Sequence, residues 1–122
     1  MRRAFALTLL FALSPATAGA EGDAKKGREI AVQHCGRCHV VPDYNPMGGI
    51  GSTPSFRLLA ELDDGLERFE TFFIRRPHPA FVRMQDTEPP TNLPAALQPF
   101  EMTIADLEDL LAYARQLREW QE

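Results

Sequence analysis

The chain is short of the residues on which several familiar chemistries depend. It has only two cysteines and three histidines in 122 residues, so a four-ligand zinc site is reached only by straining the count. There is no internal repeat and no low-complexity tract. No apolar run beyond the first residues approaches the length of a membrane-spanning helix. Basic residues are outnumbered by acidic ones, with a formal charge of −4, which argues against a surface built to hold nucleic-acid phosphates.

What is present begins with an address. Met1-Arg2-Arg3, the apolar stretch Ala4 to Leu13 and the small residues up to Ala18 and Ala20 have the three parts of a secretory signal. Cleavage is expected before Glu21, giving a signal peptide over 1–20 and a single small domain over 21–122. Loss of Arg2 and Arg3 would take the formal charge from −4 to −6. The expected product is soluble, without a permanent membrane anchor, and periplasmic in a Gram-negative host.

The most specific stretch is Cys35-Gly36-Arg37-Cys38-His39. Two thiols two residues apart with a histidine directly after the second have the spacing of a c-type haem attachment site. Each thiol can add to one haem vinyl group, and His39 would then lie under the iron as its proximal ligand. A redox dithiol is the first rival, but such motifs follow a strand in a βαβ setting, whereas the residues before Cys35 read as a helix and no β-branched run follows. A plain disulfide is the second rival. Only haem gives His39 a reason to be there.

Along the mature chain, Asp23 is a good helix N-cap, and Gly27 sits inside the helix it starts, where glycine costs roughly 1 kcal/mol against alanine. That cost predicts a packing reason for Gly27. Residues 40–54 hold three prolines and three glycines, a wrapping loop. Ser55 to Ala60 reads as a short helical turn, and Leu66 to Ile74 as a second helix with Asp63-Asp64 as its cap and Pro77 as its end. Pro77 to Met102 reads as a long loop carrying six prolines. Thr103, with Asp106 three residues on, caps the strongest helix, whose apolar stripe is Ile104, Leu107, Leu110, Leu111, Ala114 and Leu117.

This order of parts resembles class I cytochromes c over nearly the whole mature chain. Gly22-Asp23-Ala24-x-x-Gly27 leading into Cys35-x-x-Cys38-His39 is similar to the family's first helix, and Leu107-x-x-Leu110-Leu111-Ala112-Tyr113 to its last. The resemblance implies an all-α, small cytochrome c-like fold, its N- and C-terminal helices packed across one covalently bound haem c, with Gly27 against Tyr113. Pro54 or Pro46 is expected to offer the backbone carbonyl that orients His39, Pro54 being favoured.

The second axial ligand is open. The family's methionine falls a few residues before the last helix, and that place here is near Leu97, which cannot bind iron. Met84 is the expected distal ligand, because its loop has the reach. His78, between Pro77 and Pro79, is the rival, and Met102, placed to pack on Leu107 ahead of the cap, comes after it. Met47 and His34 lie too close to the motif for the distal side. Arg75, Arg76 and Arg83 form a basic cluster that either faces water or meets haem propionates or an acidic partner. The function expected is a monomeric electron carrier, not an enzyme, serving redox protein partners such as a dehydrogenase, an oxidase or a membrane complex. The rivals are a haem-based ligand-binding or sensor protein, or a catalytic subunit, with an open or His-ligated distal site, and a small disulfide-bonded module.

Overall fold

The structure, a computed structural model, describes residues 21–88 and 98–120. The proposed signal segment and the family's methionine position near Leu97 lie outside the described residues. Helix α1 (Ala24–Ile30) starts at Asp23, whose carboxylate accepts from the N–H groups of Lys25 and Lys26. It runs on into a wider turn, Ala31–Cys35, where the Gly36 N–H reaches back five residues to the Ala31 carbonyl at 2.9 Å. Widened turns of this kind are frequent at functional sites. Here the turn delivers Cys35.

Two short helices come next, α2 (Phe56–Glu61), capped by the Ser55 hydroxyl, and α3 (Gly65–Glu70). The second helix expected to reach Ile74 is divided: α3 stops at Glu70 and a tighter turn covers Phe72–Ile74. Thr71 accounts for the break, since its hydroxyl turns back to the Glu67 carbonyl at 2.7 Å. Asp64 does not cap the helix with its side chain, which accepts from Arg68 instead.

The stretch read as a long loop contains structure. His78–Ala80 forms a tight turn, and strand β1 (Val82–Met84) pairs in parallel with β2 (Phe100–Met102), Val82 opposite Phe100 and Met84 opposite Met102. The fold is therefore mostly helical with a two-stranded ribbon ahead of the last helix.

That helix, α4 (Ile104–Glu119), opens with a full capping box: the Asp106 N–H donates to the Thr103 hydroxyl at 3.0 Å, and the Thr103 N–H to the Asp106 carboxylate at 2.8 Å. Leu107, Leu110, Tyr113, Ala114 and Leu117 are its buried face, while Ile104 stays exposed. Helix α1 crosses α4 at Gly27, where a Cβ would overlap the Asp109 carbonyl, and the Asp23 N–H donates to the Asp109 carboxylate at 2.6 Å. The packing reason for Gly27 is thus the α4 backbone at Asp109–Leu110. Tyr113, the aromatic expected against Gly27, is buried one turn further along α4, beside Arg28 of α1, and packs on Phe56 with ring centres 6.1 Å apart.

Candidate functional site

One cavity of about 520 Å³ opens beside the motif. Cys35, Cys38 and His39 form one wall, and Ile50 and Pro54 of the wrapping loop, Phe56 and Leu59 of α2, Phe69 of α3, Phe72, Phe81 and Leu110 of α4 line its apolar interior. Arg68, Arg75 and Arg76 also border it. A flat apolar body with acidic groups at one edge, attached through two thiols, is what this lining suits: aromatic faces inside, cations at the border.

The motif is wound as a turn, the His39 N–H donating to the Cys35 carbonyl at 2.9 Å. Asn45 holds that turn from outside. Its side-chain oxygen accepts from the Val41 N–H at 2.7 Å, and its amide donates to the carbonyls of Gly36 at 2.8 Å and His39 at 3.0 Å. Sequence reasoning did not find Asn45. The available signal was a short polar residue before a proline in a turn-rich loop, a place where asparagine bonds nearby backbone.

His39 donates from Nδ1 to the Pro54 carbonyl at 2.7 Å. A carbonyl only accepts, so the proton is on Nδ1 and the free lone pair on Nε2, the form that binds a metal. Burial lowers the His39 pKa, opposed by the bond to Pro54, so the ring stays neutral near pH 7. Phe56 meets it edge-on at 5.6 Å.

His78 has the same arrangement. Its Nδ1 donates to the Arg75 carbonyl at 2.9 Å, and Phe72 and Phe81 flank it at 5.1 and 5.8 Å. Burial is again the main cause of a lowered pKa, and nearby His39 adds to it. The rings of His39 and His78 are 6.1 Å apart between centres and 7° from parallel, and both line the cavity.

The methionines lie elsewhere. Met84, expected as the distal ligand, does not line this cavity: it is 7% exposed in β1, in register with Met102, itself 2% exposed in β2. Backbone pairing holds both in the core. Met47 is 96% exposed on the wrapping loop, and His34 stacks on Phe100 at 4.3 Å. The basic cluster is not uniform: Arg75 pairs with Glu67 at 3.0 Å, Arg83 folds onto the Pro79 and Val82 carbonyls, and Arg76 is exposed at the cavity.

Cys35 and Cys38 are not bonded to one another. Burial pushes the Cys35 thiol up to about 12, with Cys38 adding to the rise. A redox dithiol needs the opposite shift, toward thiolate. Among the described residues no group of three or more His, Cys, Asp or Glu side chains is placed to hold a metal ion by itself.

No curated protein and no solved structure matches the chain. A family model described as Cytochrome c does, over residues 24–118, from the first helical residue to the last turn of α4. With that match across nearly the whole described domain, and two thiols and a neutral imidazole converging on one apolar cavity, the chain belongs to the cytochrome c family, a haem-containing electron-transfer protein with one haem attached through Cys35 and Cys38.

Proposed function

We propose that the mature protein, residues 21–122, is a soluble, monomeric periplasmic carrier that takes one electron from a redox protein and hands it to another. The observation that carries this reading is the convergence of Cys35, Cys38 and His39 on one aromatic-walled cavity, with His39 held by the Pro54 carbonyl. The haem supplies a one-electron Fe(III)/Fe(II) couple. The chain's part is to hold, orient and keep water off that group, and none of it calls for proton transfer or bond cleavage at the iron. His39 would hold the iron from the side of the motif, and Arg76, exposed at the cavity, would meet a propionate.

The family consists typically of electron carriers, which supports the non-enzymatic reading. Among the described residues no helix is long and apolar enough to cross a membrane. The signal-like segment over 1–20 supports export to the compartment where thioethers to haem are formed. Tyr44, Met47 and Ile50 are exposed apolar residues on the loop beside the motif, and they suit the face that meets a dehydrogenase, an oxidase or a membrane complex.

Expression of the full chain together with a c-type haem maturation system tests this. The expected result is a periplasmic protein beginning at Glu21, one covalent haem per chain by mass, and rapid reduction and reoxidation by small redox mediators without turnover of substrate. Protein retained in the cytoplasm would overturn the exported reading. A high-spin iron that binds carbon monoxide in the purified wild type would overturn the simple carrier.

A further inference from the structure

We infer that His78 is the second axial ligand, so that the haem iron of this protein is held between two imidazoles. The inference rests on the haem-protein reading above and deepens it.

Two rings in direct contact stack closely, as His34 and Phe100 do in this same molecule at 4.3 Å and 15°. His39 and His78 are more nearly parallel but 6.1 Å apart, beyond contact stacking, and at 7° they are not the edge-to-face pair that this distance favours for aromatic rings. The separation matches a metal between them. Two metal–nitrogen bonds of about 2 Å, with about 1.1 Å from each nitrogen to its ring centre, sum to about 6.2 Å.

The tautomers agree with this. Each ring donates from Nδ1 to a backbone carbonyl, Pro54 for His39 and Arg75 for His78, so each keeps its lone pair on Nε2. Holding a ligand histidine by its other nitrogen is how proteins orient it and strengthen its donor. His78 is also stiffly mounted, between Pro77 and a buried Pro79 and between the rings of Phe72 and Phe81. Met84 would have to leave the core and break the β1–β2 pairing to compete. Two imidazoles in place of imidazole and thioether lower the reduction potential, so the donor suited to this carrier is a low-potential one.

Electron paramagnetic resonance and absorption spectra of the oxidised holoprotein test the assignment. Near-parallel imidazoles are expected to give a rhombic low-spin signal, with no sulfur-to-iron band in the far red. His78→Met should create that band and raise the potential. His78→Ala should turn the iron high-spin and open it to carbon monoxide, with added imidazole restoring the low-spin spectrum. Met84→Leu should leave every spectrum unchanged. A far-red sulfur band in the wild type that disappears in Met84→Leu would overturn the inference and leave the electron carrier standing. A His78→Ala protein that stays low-spin without added imidazole would overturn it as well. Absence of covalent haem in the wild type would sink both readings together.

Discussion

Asn45 offers a sharp test of how the haem-binding turn is held. Replacing it by alanine removes three hydrogen bonds at 2.7, 2.8 and 3.0 Å and leaves the Val41 N–H and the Gly36 and His39 carbonyls without it. At a net worth of about 0.5–1.5 kcal/mol each, the three sum to roughly 1.5–4.5 kcal/mol. The groups are half-buried, so water replaces part of the loss, and about 2–3 kcal/mol is the expected cost. For a domain of this size that lowers Tm by about 10–15 °C. Asn45→Asp separates geometry from packing. An aspartate keeps the acceptor for Val41 but turns a carboxylate toward two carbonyl oxygens, so at pH 7 it should be worse than alanine by about 1 kcal/mol or more. Those oxygens raise its folded-state pKa, so the penalty is absent below the ordinary carboxylate range and grows as pH rises through it. Denaturant unfolding of the holoprotein, followed by circular dichroism at pH 4 and pH 7, reads both effects. An alanine variant within about 0.5 kcal/mol of wild type, or an aspartate variant milder than alanine at pH 7, would refute the clamp.

Gly27→Ala should destabilise by about 2–4 kcal/mol, because the overlap with the Asp109 carbonyl outweighs the roughly 1 kcal/mol that alanine gains in a helix; a raised urea midpoint would refute the close crossing. Thr103→Ala should cost about 1–2 kcal/mol by removing the capping box of α4, read by the same midpoint. Burial raises the Tyr113 pKa despite Arg28 beside it. Its contribution to stability is complete below the unfolded value of about 10 and is lost as pH climbs from there toward the raised folded value. The denaturant midpoint of Tyr113→Phe should therefore fall less steeply than that of wild type between about pH 9.5 and 11.

What could be read in the sequence was what neighbouring residues settle between themselves. The Asp23 cap, the Thr103–Asp106 box and most of the α4 stripe depend on side chains a turn apart, and they lie where that spacing places them. Ile104 was on the stripe by period but is exposed, because α4 meets the core only from Leu107 on. The three-residue strands were not legible. They are too short to show alternation and are separated by a proline-rich stretch, and only their pairing makes them strands. Gly27 showed that a close approach was needed. Which backbone came close depended on how α1 crosses α4, a matter of tertiary packing.

The two sides of the haem site differ in the same way. His39 comes directly after Cys38, so its position relative to an attached haem is set by a few covalent bonds and the turn that Asn45 and Pro54 hold. The distal side is reached only through the fold. Counting residues along the Pro77 to Met102 stretch showed which side chains had the reach, but reach ignores what else claims a side chain. Met84 and Met102 face each other in register and are buried, so the core already uses their apolar surface. An imidazole is differently placed: half-buried between Phe72 and Phe81 on the wall of the cavity, it has Nδ1 satisfied by the Arg75 carbonyl and keeps the lone pair of its second nitrogen for a metal. Hydrophobic packing explains why a methionine lies at 84. It gives no reason for a histidine at 78, and the axial role proposed for His78 would.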